Sequence, residues 1–233
     1  MSEISSLLYP NKSHRKKISI PNESAELAEF FGIMMGDGGI NNPWQIKITL
    51  NSIADATFAK YVVSLISILF NTQAKLLFRK KCNALNVTVN SIELVDFLIS
   101  KGIPRGDKLK FGLEIPTWIL QNAEYKVACV RGLVDTDGCL YVHRHVVSRK
   151  EYKNIGLCFC SYSEVLIQQV SEIFEEFGVV PHISNHGRSI CLYSAGAVSR
   201  YLEIFGTSND RISSVYENWK RGRVVEGARL ESV

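Results

Sequence analysis

Glu29-Phe30-Phe31-Gly32-Ile33-Met34-Met35-Gly36-Asp37-Gly38-Gly39 and Ala128-Cys129-Val130-Arg131-Gly132-Leu133-Val134-Asp135-Thr136-Asp137-Gly138-Cys139 are two versions of one segment. Their final acidic residues lie 137 − 37 = 100 positions apart. Each is an apolar run at helical spacing that carries a glycine one turn before its end, then a small residue (Gly36 or Thr136), an aspartate and a glycine. Read as helices, both close on a carboxylate in the last turn, where unpaired carbonyls already carry partial negative charge. A positive group is therefore expected at both places, and a divalent cation held by carboxylate and carbonyl oxygens is the simplest candidate. Gly32 with Gly36, and Gly132 with Thr136, are four residues apart and share a helix face. Small residues there let two backbones approach closely. Helices packed through those faces bring Asp37 and Asp137 side by side, where unshielded carboxylates repel or share a proton.

These segments resemble the two copies of the LAGLIDADG motif of homing endonucleases, in the single-chain, two-repeat form. The second copy, Arg131 to Gly138, is close to the family consensus; in the first, Met34-Met35 stand where Ile-Asp is usual, and Asp37-Gly38 is intact. The resemblance implies a mixed α+β fold of two pseudo-symmetric repeats, each a curved antiparallel sheet with helices on one face, packed through the motif helices into a saddle over DNA. It also implies metal-dependent hydrolysis of both strands of duplex DNA at a long asymmetric target, with two or three Mg²⁺ ions shared between the motif aspartates. Asp37 and Asp137 would then be metal ligands, the carbonyls of Gly36 and Thr136 co-ligands, and Asp135 structural. Family members usually carry a Lys near the site in each repeat; Lys108 resembles it in the first, and the corresponding stretch of the second offers Arg211 after a one-residue gap. Polar residues that organise water match Asn51 and Ser161, with Leu50 as an alternative occupant of the first position. The same fold serves intron RNA maturases and catalytically inactive DNA-binding proteins; the intact aspartate pair favours a nuclease.

At 233 residues and 46% hydrophobic composition the chain can bury a sizeable core, and the repeat divides it into two units. The expected organisation is a basic N-terminal segment (1–20), a first repeat (21–105), a linker (106–120), a second repeat (121–221) and a C-terminal tail (222–233), both ends lying outside the repeats and poorly ordered. The longest nearly continuous apolar stretch, Phe58 to Phe70, is interrupted by Lys60 and is too short to span a bilayer, and Lys12 to Lys17 break up any leader-like run. A cytoplasmic or nucleoid-associated monomer is expected. Six cysteines without a CxxC pair suggest reduced core residues rather than disulfides or zinc ligands. The net charge of +4 is modest, but its clusters, at Lys12 to Lys17, Arg79-Lys80-Lys81, His143-Arg144-His145, Arg149-Lys150 and Lys220 to Arg223, suit phosphate contacts.

After each motif the same order of elements recurs. Gln45 to Leu50 alternates like a strand with one wet face, Phe58 to Leu69 has helical spacing, Leu76 to Lys81 and Leu85 to Asn90 form a hairpin, and Ile92 to Ser100 is a helix stopped by Gly102. In the second half these become Ile155 to Cys160, Val165 to Phe177, a hairpin from His182 to Tyr193, and Gly196 to Phe205. If Ile46, Ile48, Leu50, Val87 and Val89 face helices, then Gln45, Lys47, Thr49, Asn86, Thr88 and Asn90 face away, with side chains suited to reading base edges. Tyr141, His143 and His145, with His182, Ser184 and, across the turn, Arg188, are the second-repeat DNA-binding candidates. Arg79 and Lys81 are assigned to phosphates.

Overall fold

The computed structural model describes residues 16–147, 149–184 and 186–230. Lys12, His14 and Arg15 of the first basic cluster lie outside the described residues. Ser24 accepts a hydrogen bond from the Leu27 amide and starts helix α1 (Ala25–Met35). It is followed by β1 (Gly38–Asn42), β2 (Gln45–Asn51), α2 (Ala56–Phe70), β3 (Lys75–Phe78), β4 (Ala84–Asn90) and α3 (Ile92–Ser100). The short α4 (Thr117–Leu120) leads to α5 (Ala123–Asp137), whose first amides at Glu124 and Tyr125 are capped by Asn122. The series then repeats as β5 (Gly138–Val147), β6 (Lys150–Cys160), α6 (Glu164–Glu176), β7 (His182–Ser184), β8 (Ser189–Leu192) and α7 (Ala195–Ile204), and ends in α8 (Asp210–Leu230).

Both sheets are antiparallel with the same order, β1-β2-β4-β3 and β5-β6-β8-β7, so the internal repeat holds at the level of topology. Each has a strand directly after its motif. Nothing in Gly38-Gly39-Ile40-Asn41-Asn42 alternates strongly enough to announce β1, which exists because it pairs with β2. β6 begins five residues before the expected Ile155 and pairs with β5 from Lys150 to Phe159. Residues 222–230 continue α8 rather than forming a separate tail. No described helix is long and apolar enough to cross a membrane.

Helix α1 is buried continuously from Leu27 to Met35, which explains its apolar surface on every side. Burying rings such as Phe30 and Phe31 contributes roughly 1.5–3 kcal/mol each. Its neighbour is α5, and the two cross at glycines. A Cβ on Gly32 would run into the carbonyl oxygen of Cys129, and one on Gly132 into that of Glu29. These contacts exchange under a shift of one hundred residues, so the crossing marks a pseudo-twofold axis.

Strand alternation divides each sheet into a core face and an open face. In the first sheet Ile46 pairs with Val89, Ile48 with Val87 and Leu50 with Leu85, all buried. The intervening pairs, Gln45 with Asn90, Lys47 with Thr88 and Thr49 with Asn86, form the open face. In the second, Leu140, Ile155, Leu157, Phe159, Ile190 and Leu192 face the core. The expectation of core cysteines holds for Cys129, buried at the helix crossing, and for Cys191, which is buried although it takes the open face; Cys139 and Cys160 are exposed and Cys158 half-buried on that same face, and Cys82 is exposed.

Candidate active site

Asp137 is the last residue of α5, and Asp37 follows Gly36, the residue that caps α1. The two ends meet: a Cβ placed on Gly36 would run into the Thr136 hydroxyl oxygen and lie 3.3 Å from Oδ2 of Asp137. Thr136 turns its hydroxyl back onto the carbonyls of Gly132 and Leu133, at 3.0 and 2.9 Å, so it adds bulk without a free donor. Burial, then the charges of Asp137 and Asp55, push the Asp37 carboxyl up to about 7, against the opposing pull of Lys108 and Arg211. Burial pushes Asp137 up to about 6, with Lys108 opposing.

The positive groups that the helix ends require come from the chain itself. Lys108 Nζ donates to the carbonyls of Met35, Gly36 and Gly38 at 2.7, 2.6 and 2.7 Å. Arg211 donates through Nη2 to the Asp135 carbonyl at 3.1 Å and through Nη1 to the Gly138 carbonyl at 3.2 Å. Met35 and Gly38 correspond to Asp135 and Gly138 under the hundred-residue shift, so the two cations cap equivalent carbonyls. Cations at a helix C-terminus are stabilised by its dipole. Burial lowers the Lys108 pKa, and the charges of Asp137 and Asp37 oppose that shift. Arg211 also donates through Nε to Oδ1 of Asp55 at 3.1 Å, reaching into the other repeat.

Several residues at this centre were not singled out from the sequence. Asn209 donates to Asp55 Oδ1 at 2.9 Å and to the Asp135 carbonyl at 3.0 Å. The buried Asp135 carboxylate accepts from the Thr207 hydroxyl and, at 2.7 Å, from the Ser208 amide, which is a structural use. Glu29, 3% exposed, pairs with Arg131 at 3.0 Å and accepts from Ser208 and Tyr61 at 2.6 and 2.8 Å. One signal was available: Glu29 and Arg131 are opposite charges inside two apolar helices.

The remaining candidates fall elsewhere. Asn51 accepts from the amides of Ile53 and Ala54, and Ser161 from that of Ser163. Both close the turn after their strand, so their oxygens have local work. Gln45 donates to Asn90 at 2.8 Å and Thr49 to Asn86 at 3.1 Å across the open face of the first sheet; Thr88 on that face is buried. Arg79 and Lys81 are exposed in the β3-β4 turn. On the second sheet His143 stacks on His145, and His145 on Tyr152. Tyr141 lies over Gly156, whose added Cβ would come 2.7 Å from the ring. His182 packs on Tyr193, Ser184 pairs with Ser189, and Arg188 covers the Tyr162 ring at 5.3 Å.

A divalent cation fits this donor set by chemistry. Two carboxylates that resist ionisation together stand beside helix-end carbonyls, all hard oxygen donors. Among the described residues no three His, Cys, Asp or Glu side chains converge on one point, so carbonyls would have to complete the shell. The Gly36 carbonyl is already hydrogen-bonded to Lys108.

Comparison with known proteins agrees with this architecture. Residues 124–209 match the LAGLIDADG-like domain. The chain has the two-repeat LAGLIDADG homing-endonuclease fold. I-DmoI, in a complex with DNA and Mn, superposes with a TM-score of 0.53 at 19% identity, covering 80% of this chain and 99% of that one. I-SmaMI, bound to uncleaveable DNA, gives 0.58 at 8% identity, covering 93% and 92%. Full-length DUF199/WhiA from Thermatoga maritima gives 0.54 at 16% identity, covering 92% and 70%. No curated sequence matches the chain significantly. The LAGLIDADG-like segment starts just inside α5 and ends at Asn209, and so contains the second aspartate together with Asp135, Thr207, Ser208 and Asn209, while Arg211, Asp55 and Glu29 lie outside it.

Proposed function

We propose that this chain is a monomeric, Mg²⁺-dependent endonuclease that cuts both strands of duplex DNA at a long asymmetric site. The observation that carries the reading is the pair Asp37 and Asp137, side by side at the ends of two helices crossing on glycine, between two sheets with unlike polar faces. A bound divalent cation would polarise a scissile phosphate and supply a nucleophile from water at neutral pH. Asp37 and Asp137 would hold it, with the Thr136 carbonyl beside them and the Gly36 carbonyl once Lys108 shifts. Lys108 and Arg211 then lie where charge develops on a phosphate, Lys108 as a point charge and Arg211 as a planar fork. Gln45, Lys47, Thr49, Asn86 and Asn90 on one sheet, and Tyr141, His143, His145, His182 and Ser184 on the other, would read unlike half-sites. A first repeat at 21–105 and a second beginning at 121, joined by 106–120, suit this assignment. The neighbours seen with nucleic acid are DNA complexes, which favours duplex DNA over intron RNA.

The test is selection of cleaved products from a randomised duplex library with Mg²⁺. Asp37→Asn and Asp137→Asn should each abolish double-strand cleavage of the selected target and retain binding. Full cleavage by either variant removes the assignment, and a palindromic target bound by a dimer removes the asymmetric reading.

A further inference from the structure

The open face of the second sheet carries a row of thiols that the reading above leaves unused. Cys158 stands directly opposite Cys139 on one neighbouring strand and Cys191 on the other. The Cys158 and Cys191 sulfurs are 2.8 Å apart, and Cys160 Sγ, two residues along the same strand, is 3.8 Å from that of Cys158. Directly opposed residues of antiparallel strands have Cα separations of about 4.5–5.5 Å, inside the range that a disulfide spans without backbone movement. Cys191 is buried, Cys158 half-buried and Cys160 exposed.

We propose that Cys158 and Cys191 form a cross-strand dithiol that low-molecular-weight disulfides oxidise to a protein disulfide, with Cys160 as the first thiol to react. The exposed Cys160 thiolate attacks the small disulfide RSSR, giving a mixed disulfide and releasing one RSH. Cys158 displaces the second RSH to make a Cys158–Cys160 bond, and Cys191 then attacks the Cys158 sulfur and returns Cys160 to the thiol. Two protein thiols are oxidised, one RSSR is reduced to two RSH, and the two thiol protons leave with the RSH products. Burial, with the neighbouring Cys191 and Cys160, pushes the Cys158 thiol up, which agrees with an exposed neighbour reacting first, because the thiolate is the nucleophile. Among the described residues no three ligands converge to hold a metal, so disulfide exchange fits the row better than zinc. A second consequence rests on the DNA reading above: duplex DNA seated on this face covers the row and slows its oxidation.

The full chain is incubated with oxidised glutathione, free thiols are alkylated, and peptides are mapped by mass spectrometry. The expected product is a Cys158–Cys191 crosslink lighter by two hydrogen atoms, without retained glutathione, reversed by dithiothreitol and absent from Cys158→Ser and Cys191→Ala. Cys160→Ser should slow its appearance. A stable glutathione adduct with Cys191 free, or a crosslink to Cys139 instead, overturns the proposal. Repeating the reaction with excess random-sequence duplex separates the two readings: a crosslink forming at an unchanged rate keeps the dithiol and removes the DNA-face assignment.

Discussion

Without a metal, the candidate site should destabilise the fold at neutral pH, and removing one carboxylate should relieve that strain. Asp37 is held at about 7 against an ordinary value of 3.8. That upward displacement of about 3 pH units corresponds to roughly 4 kcal/mol between the two protonation states, and partial exposure reduces the figure to about 2 kcal/mol. Because the folded protein holds this proton more tightly than the unfolded chain does, the contribution is fully present below the unfolded value near 3.8. It is lost as pH rises through about 7. Asp137, pushed up to about 6, acts in the same direction. Thermal melts in EDTA should therefore show the wild-type midpoint falling from about pH 5 to about pH 8, with a shallower fall for Asp37→Asn. At the upper end Asp37→Asn should melt about 4–8 °C above wild type. Saturating Mg²⁺ should raise the wild type by mass action and the variant less. A metal-free Asp37→Asn protein that melts below wild type at pH 8, or a wild-type midpoint indifferent to pH across this window, would refute the reasoning.

Three further outcomes follow from the packing and from the two faces. Gly32→Ala forces a Cβ against the Cys129 backbone and should cost at least about 1–3 kcal/mol in denaturant unfolding, whereas Gly39→Ala, whose Cβ meets nothing, should cost far less; equal effects would mean that the helices do not cross as described. Lys80→Ala should weaken binding to selected and random duplexes alike and lower the salt slope by about one unit, while Gln45→Ala should cost about 1–3 kcal/mol on the selected target and relax preference at one or two positions; indistinguishable behaviour would remove the division into phosphate and base contacts. Since Lys108 is a point charge tied to one repeat and Arg211 a fork tied to both, supercoiled plasmid carrying the target should pass through a nicked intermediate, and synchronous cutting of both strands would show that the difference has no kinetic consequence.

The elements that were legible in the sequence are those whose physics is local. Ile92 to Ser100 has a serine cap before it and a glycine after it, and the structure returns that helix with the same bounds. The alternation of Gln45 to Leu50 separates core from open face because a strand has a period of two. Strand β1 was not legible, since Gly38 to Asn42 takes its conformation from pairing with β2. Cys139, Cys158 and Cys160 leave the core for a related reason: residue type alone suggests burial, but strand parity assigns them to the other face.

At the centre the two halves depart from their symmetry, and no local pattern could have shown it. Lys108 reaches carbonyls of its own repeat, whereas Arg211 is tied at once to its own helix end and to Asp55 of the other repeat. Asn209 makes the same bridge from a buried position. The Glu29 and Arg131 pair, with Ser208 and Tyr61, crosses between the repeats a second time. Removing Arg131 would strand the Glu29 carboxylate, 3% exposed, between the two helices, so these contacts hold the helix pair in one register. The first helix end is thus capped by an ammonium held on carbonyls of its own repeat, and the second by a guanidinium that also pairs with Asp55 of the other repeat. Two carboxylates equivalent in sequence therefore stand beside cations that are anchored differently, one within a single repeat and one across both.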